Sequence, residues 1–518
     1  MRNNFAKNSQ HVTFFPNKFQ FNNLFIQLFY FIILSLFGYL GLKFSNPRSS
    51  IKPNDFDLFY TSVSASTVSS MTSIEMEAFS NSQLILLTFL MLVGGEVFTS
   101  MLQLFLDRFF NFTQNHSLKN EPPPININQI ELGLVSIPQP ENHNNNTNNK
   151  DRIKYNSLRY LSYVVLGYLM IVQFFGFSLV TLYLTYIPSA KQVLQNKGIK
   201  IETFSLFTIV STFASCGYVP TNENMIVFKK NSGILLLILP HILLGNTLYP
   251  PCLRLSITVL KSVTKREEFT YLLKNSKEMD YDHLLSPIHC WNLVVTAFGF
   301  NIIQFVLFCS LEWSSKIMEG LNLYQKVVAS LFQVTNARHS GESVFDLSTI
   351  SSAILVLFIV MMYLPPYTTF LSVKDHTNID VKKDQKCLVE CVVLSQLSYL
   401  VIFIIVICIT ERQSLKEDPL NFNVLNITLE VIRHVTNFLS NYLFAYGNVG
   451  FSTGYSCSRQ LKADSMCKDS WIGFSGRWST KGKVTLILVM FFGRLKKFNM
   501  NGGKILAPLH AIVFGTRS

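Results

Sequence analysis

The chain has 518 residues, 49% of them hydrophobic and only 14% charged, with a formal net charge of +13 and a mean hydropathy of +0.28. Soluble domains carry about 25% charged residues, so the composition excludes an ordinary soluble globular protein and points to a membrane. The basic excess does not indicate nucleic acid, because Lys and Arg are spread through the loops between apolar runs and form no motif.

In chain order, residues 1–20 are polar and the first apolar run, Leu24–Leu42, is too long for the core of a secretory signal, so no signal peptide is expected. Crossing a bilayer takes roughly 20 mostly apolar residues. Runs near that length follow at Leu84–Leu106, Leu158–Tyr186, Ile234–Leu260, Trp291–Leu311, Ile350–Leu371 and Val389–Thr410, and an eighth, Val484–Phe492, is shorter and runs into Arg494. Lys and Arg concentrate at cytoplasmic membrane edges. With eight spans, the groups Arg2–Lys18, Arg152–Arg159, Lys261–Lys277, Lys382–Lys386 and Arg494–Lys504 fall on one side, which predicts a multi-pass protein of the lipid bilayer with both termini cytoplasmic.

The spans resolve into four units of span, polar loop and span, at 21–107, 158–261, 287–372 and 386–498. Between the first two lies 108–157, rich in Asn and Pro and read as a disordered linker. Shorter cytoplasmic linkers are expected at 262–286 and 373–385, with cytoplasmic tails at 1–20 and 499–518. The fold class is therefore an all-α integral membrane protein with eight transmembrane helices. No HExxH, Walker-type loop or nucleophile elbow occurs, so an enzyme is not expected, nor is a cofactor.

Each polar loop carries a comparable nine-residue window: Ser64–Thr72, Ser211–Val219, Thr335–Ser343 and Phe444–Ser452. Segments with helical potential precede them, as at Phe56–Val63, Glu202–Val210 and Gln325–Phe332, all too short to cross a membrane. Irregular backbone at membrane depth survives only where protein buries it or water lines it. Each loop should thus enter as a half-helix, its electronegative C-terminal end toward the pore centre, and return as extended chain. Four such loops meeting on one axis would form a narrow cation passage lined by backbone.

The seventh position of the windows is Ser70, Gly217, Gly341 and Gly450. An ion that sheds water needs replacement oxygens, and aiming successive carbonyls at one axis calls for dihedrals that glycine reaches freely. These four residues are the expected selectivity filter, with Na+ held by their backbone carbonyls. Val68, Ser69, Ser215, Cys216, His339, Ser340, Asn448 and Val449 flank it. Serine in one quarter of the ring adds a Cβ and a hydroxyl ligand, which should favour the smaller Na+ over K+. Glu75, Glu77, Asn222 and Glu342 are placed at the outer mouth, where acidic groups concentrate cations; Glu223 and Asn224 lie nearby.

The stretch Tyr446-Gly447-Asn448-Val449-Gly450-Phe451-Ser452-Thr453-Gly454-Tyr455 resembles the plant high-affinity potassium transporter family (HKT), which belongs with the Trk and Ktr cation transporters. Gly94-Gly95-Glu96-Val97-Phe98, Cys216-Gly217-Tyr218-Val219-Pro220 and Arg338-His339-Ser340-Gly341-Glu342 are similar to it too. The resemblance covers all but the Asn-rich linker and the extreme N-terminus. It implies four membrane–pore loop–membrane repeats around a pseudo-fourfold pore axis, in a homodimer with one pore per subunit. Serine at the Ser70 position implies the sodium-selective group, moving Na+ passively across the plasma membrane for sodium retrieval and salt tolerance. K+ uptake or Na+/K+ symport on the same fold is the alternative. The family also carries a basic residue in the last span, proposed as an inner barrier. Arg494 can be that barrier or an anchor at the membrane edge.

Among other residues, Glu96 is expected to pair with a basic group, and Pro240, Gly245, Pro250-Pro251 and Pro365-Pro366 to break their spans. Cys457 and Cys467 could form a disulfide. Asn426-Ile427-Thr428 is a glycosylation sequon on the expected outer face, whereas Asn145-Asn146-Thr147 falls on the cytoplasmic side.

Overall fold

A computed structural model describes residues 23–49, 52–106, 143–279, 281–364, 367, 369, 396–435, 450–460, 469 and 473–496. The first unit comprises α1 (Asn23–Phe44), α2 (Asp55–Thr67) and α3 (Asn81–Gly94), continued by α4 (Glu96–Leu106). The second comprises α5 (His143–Tyr186), α6 (Pro188–Asn196), α7 (Ile201–Phe213), α8 (Ser232–Leu244) and α9 (Tyr249–Thr264), followed by the short α10 (Glu267–Lys274). The third is built from α11 (Pro287–Glu312), α12 (Leu323–Asn336) and α13 (Ser352–Tyr363). The fourth has α14 (Gln396–Thr410), α15 (Arg412–Glu417), α16 (Val424–Val435) and α17 (Thr480–Lys496). Among the described residues there is no strand.

α1, α5 and α11 are each long and apolar enough to cross a membrane, and so are α3–α4 and α8–α9 if each bent pair counts as one span. Their outward faces are large apolar side chains such as Phe174, Phe175, Trp291 and Ile302. That much exposed apolar surface is stable only against lipid. The start of the second unit differs from the expectation. Residues 143–157 were assigned to the disordered stretch, yet α5 already begins at His143. No Pro or Gly occurs between His143 and Gly167, and extending an existing helix costs little once it is nucleated.

The half-helices expected before the windows are α2, α7 and α12, and α16 supplies a fourth. α2 places Asp55 and Asp57 in its first turn, where carboxylates complement the N-terminal partial charge. Its serines are buried because they replace bulk: Ser62 Oγ donates to the Ser35 carbonyl at 2.6 Å, and Ser66 Oγ lies 2.6 Å from Ser35 Oγ.

The units share a polar tie between the end of the first span and the start of the second. In the first, Gln83 donates to the carbonyls of Leu42 (2.9 Å) and Ser45 (3.0 Å). In the second, Asn231 donates to Ser189 Oγ at 2.8 Å. In the third, Glu312 accepts from Ser351 N at 2.9 Å, and in the fourth Glu411 accepts from Ser479 N at 3.0 Å. A short 3-10 turn also follows each filter position, starting at Met76, Asn224, Leu347 and Cys457.

Two of the second spans break at a glycine. α3 meets α4 at 55°, and α8 meets α9 at 81°. A Cβ on Gly94 would strike the Ser66 carbonyl at the end of α2, and one on Gly245 the Phe213 carbonyl at the end of α7. The same relation therefore recurs, with the span bending where its backbone passes the C-terminal end of its own half-helix. Pro365-Pro366 lies outside the described residues.

Cys457 is disulfide-bonded; its expected partner, Cys467, lies outside the described residues. Asn426 is not available for a glycan in this fold. It is 4% exposed and its amide donates to the Asn421 carbonyl at 2.9 Å.

Candidate functional site

The four seventh-position residues come together. A Cβ on Gly217 would lie 3.1 Å from Gly450 Cα and 3.3 Å from the Gly341 carbonyl carbon, and one on Gly450 would lie 2.9 Å from Ser70 Cβ. The Gly450 amide donates to the Ser340 carbonyl at 2.8 Å, which joins the third and fourth loops directly. α2, α7 and α12 end within a few residues of their filter positions, so the electronegative ends of three half-helices converge here.

The backbone has the required conformation in three of the loops. Val68 and Ser70 have φ of 59°, Ser215 has 59°, Gly217 has 79° and Gly341 has 95°. Left-handed residues at alternate positions, as at Val68/Ser70 and Ser215/Gly217, allow neighbouring carbonyls to turn to one side. Ser70 takes this conformation at a cost of about 1 kcal/mol that glycine would not incur. Gly450 is not left-handed. It is glycine for another reason, since the space a Cβ would need is filled by the Ser70 side chain and the Cys216 carbonyl. Ser70 Oγ thus points across the ring at the fourth loop. Asn448 and Val449 lie outside the described residues.

The flanking residues are held from behind. Ser69 Oγ pairs with Thr67 Oγ1 at 2.8 Å, and Cys216 N donates to the Ser211 carbonyl at 2.8 Å. Ser215 Oγ accepts from the Asn246 amide at 2.9 Å. His339 is 0% exposed, with Nδ1 2.7 Å from the Thr335 carbonyl and Nε2 2.9 Å from Thr247 Oγ1. Asn246 and Thr247 occupy the break between α8 and α9, so this elbow grips the second and third loops from below. The sequence reading missed both residues, along with Gln333, whose Oε1 accepts from the amides of Val344 (2.9 Å) and Phe345 (3.2 Å).

All four filter positions line one narrow cavity of about 50 Å³. Its wall also includes Asn222, Glu223, Asn224 and Asp346; the last is an acidic mouth residue that the sequence reading overlooked. Glu75 and Glu77 sit just behind Asn222. Its amide nitrogen donates to Glu75 at 3.1 Å, its backbone N–H donates to Glu77 at 3.0 Å, and Glu77 N returns a bond to the Asn222 side-chain oxygen at 3.2 Å. Glu342, expected at the mouth, is not there. It is 0% exposed, and its Oε1 accepts from Thr212 Oγ1 and Ser340 Oγ, both at 2.8 Å. The chain reverses so tightly after Gly341 that the next side chain points away from the mouth and braces the second loop against the third.

A second, small cavity of about 20 Å³ is lined by Ser215, Asn246, Gln173, Glu96 and Arg494 among others. Arg494 is 2% exposed; its guanidinium donates to the Gly94 carbonyl, lies 3.9 Å from Glu96 and stands 5.4 Å from the Phe31 ring centroid. The carbonyl freed by the break at Gly94 is satisfied by this arginine, and Glu96 finds the basic partner expected of it.

Four filter backbones brought together between two polar cavities are an arrangement that can hold a dehydrated monovalent cation and pass it on. Known proteins agree with that chemistry. Residues 139–387 match the TrkH family of cation transport proteins. The chain is 47% identical over 492 residues to the sodium transporter HKT1 of Arabidopsis thaliana, covering 90% of this chain and 92% of that one. It is also 47% identical over 497 residues to the cation transporter HKT1;3 of Oryza sativa subsp. japonica, covering 94% and 91%. The chain belongs to the HKT family of cation transporters. Another HKT relative, the probable cation transporter HKT2;3 of the same rice, is 38% identical over 483 residues. The fold matches the crystal structure of the potassium transporter TrkH from Vibrio parahaemolyticus with a TM-score of 0.52 at 12% identity, over 93% of this chain and 85% of that one. This HKT chain is therefore a multi-pass membrane cation transporter and not an enzyme.

Proposed function

We propose that the chain is a sodium-selective, passive transporter of the plasma membrane, with both termini cytoplasmic and one pore in each subunit of a homodimer. Na+ is the transported ion, no cofactor is required, and sodium retrieval under salt load is the physiological use. The observation that carries the selectivity is Ser70. It is the one non-glycine in the ring, it holds a left-handed backbone, and its hydroxyl is directed at Gly450. The side chain narrows the passage on one quarter and adds an oxygen ligand, and both changes suit the smaller ion. Arg494 adds a fixed positive charge to the wall of the inner cavity and limits flow there.

The test is uptake of radioactive sodium into liposomes containing the purified protein. Uptake should be driven by the sodium gradient alone and be left unchanged by a hundredfold excess of external K+. Strong competition by K+, or a requirement for K+ on the same side, would establish the K+ or symport reading instead.

A further inference from the structure

Just behind the wall of the mouth lies a positive charge that a cation pathway does not obviously want. Lys197, in the turn between α6 and α7, reaches Glu77 Oε1 at 2.5 Å and Glu223 Oε2 at 2.6 Å. Its side chain is 17% exposed. Glu77 belongs to the first unit and Glu223 to the second, and Glu223 lines the mouth cavity. The loop is fixed from the other side by Arg48, whose Nη1 donates to the Lys197 carbonyl at 3.0 Å. Asn222, on the cavity wall, hydrogen-bonds Glu75 and Glu77. Glu77 and Glu223 are thus tied to Lys197 directly, and Glu75 is linked to it through Asn222 and Glu77.

We propose that Lys197 sets the affinity with which cations enter the filter, by neutralising Glu77 and Glu223 at the rim. Bare carboxylates at a pore entrance raise the local cation concentration; a lysine shared between two of them lowers it. The clamp lets the transporter respond over a higher range of external cation than an acidic mouth would. Burial works against the ammonium, but the hydrogen bonds it donates to Glu223 and Glu77 outweigh it and raise the Lys197 pKa above its ordinary value. The clamp therefore stays charged through neutral and mildly alkaline pH. It opens only when the pH rises through that raised value.

The inference rests on the reading that cations pass this mouth, but not on which cation they are. The test is the half-saturating concentration of whichever ion the wild type carries, measured by voltage clamp in oocytes. Lys197→Gln should lower it about two- to fivefold, the effect of one charge at the rim of a water-filled mouth, and Lys197→Arg should leave it unchanged. The Lys197→Gln difference should vanish when ionic strength is raised with an impermeant salt, since screening removes a field and not a fold defect. Glu223→Gln should move the constant the other way. The proposal is overturned if Lys197→Gln leaves the constant unchanged, or if its shift persists at high ionic strength. If it fails to reach the surface, an unchanged constant in Glu223→Gln overturns the proposal by itself. Absence of any cation current in the wild type would instead defeat the functional reading.

Discussion

Ser70 and Glu342 are both polar, both buried and both beside the ion path, yet they act differently. Ser70 faces the ring. Glu342 faces away from it, accepting two hydroxyl hydrogen bonds behind the filter. Removing that carboxylate leaves the Thr212 and Ser340 hydroxyls without their acceptor, at about 1–3 kcal/mol for each buried group left unpaired. Glu342→Ala should therefore lower thermal stability in detergent by several degrees and reduce surface expression, while Glu342→Gln, which keeps an acceptor oxygen, should recover most of both. If Glu342 acted as a mouth carboxylate, Glu342→Gln would instead weaken cation entry with stability intact. Adjacency to a filter glycine was legible in the sequence. The side of the chain on which the next side chain falls was not, because a left-handed residue at Gly341 turns the chain in a way no spacing reveals.

Among the elements, the spans and half-helices were readable because long apolar runs alternate with short polar tracts. The break in α8–α9 was marked by Gly245 and the nearby prolines. What it does was not readable, since the partners of Asn246 and Thr247 are Ser215 and His339, and the second is 92 residues away in the chain. The close passages at Gly94 and Gly245 make a stringent prediction. A side chain there meets backbone carbonyls and not a flexible neighbour, so Gly94→Val and Gly245→Val should abolish the monodisperse peak of the solubilised protein on gel filtration. A valine at Gly167, where a Cβ meets nothing within 4 Å, should elute as wild type does. Overpacking of this kind costs about 1–3 kcal/mol even where the backbone can move.

For the molecule as a whole, four repeats deliver their filter positions, three of them at half-helix ends, to one ring with a cavity on either side. The mouth combines acidic groups with a lysine, and the inner cavity holds an arginine. Arg494 serves the fold by capping the Gly94 carbonyl, and it also lies in the wall of the route out of the filter. Arg494→Gln keeps a donor for that carbonyl and removes the charge, so the current per transporter at the surface should rise severalfold with selectivity unchanged. A loss of current with normal surface expression would show that the charge assists passage.

The central claim is that one serine in this ring selects sodium. It is tested most directly by two-electrode voltage clamp of oocytes expressing wild type and Ser70→Gly, exchanging external Na+ for K+ at fixed total concentration. The account predicts that the wild-type reversal potential follows Na+ alone, and that Ser70→Gly admits K+ with no loss of expression, because glycine relieves the left-handed strain and clears the space before Gly450. A wild type that already follows K+, or a Ser70→Gly that stays sodium-selective, would contradict it and move the selector to the mouth around Asn222 and Asp346.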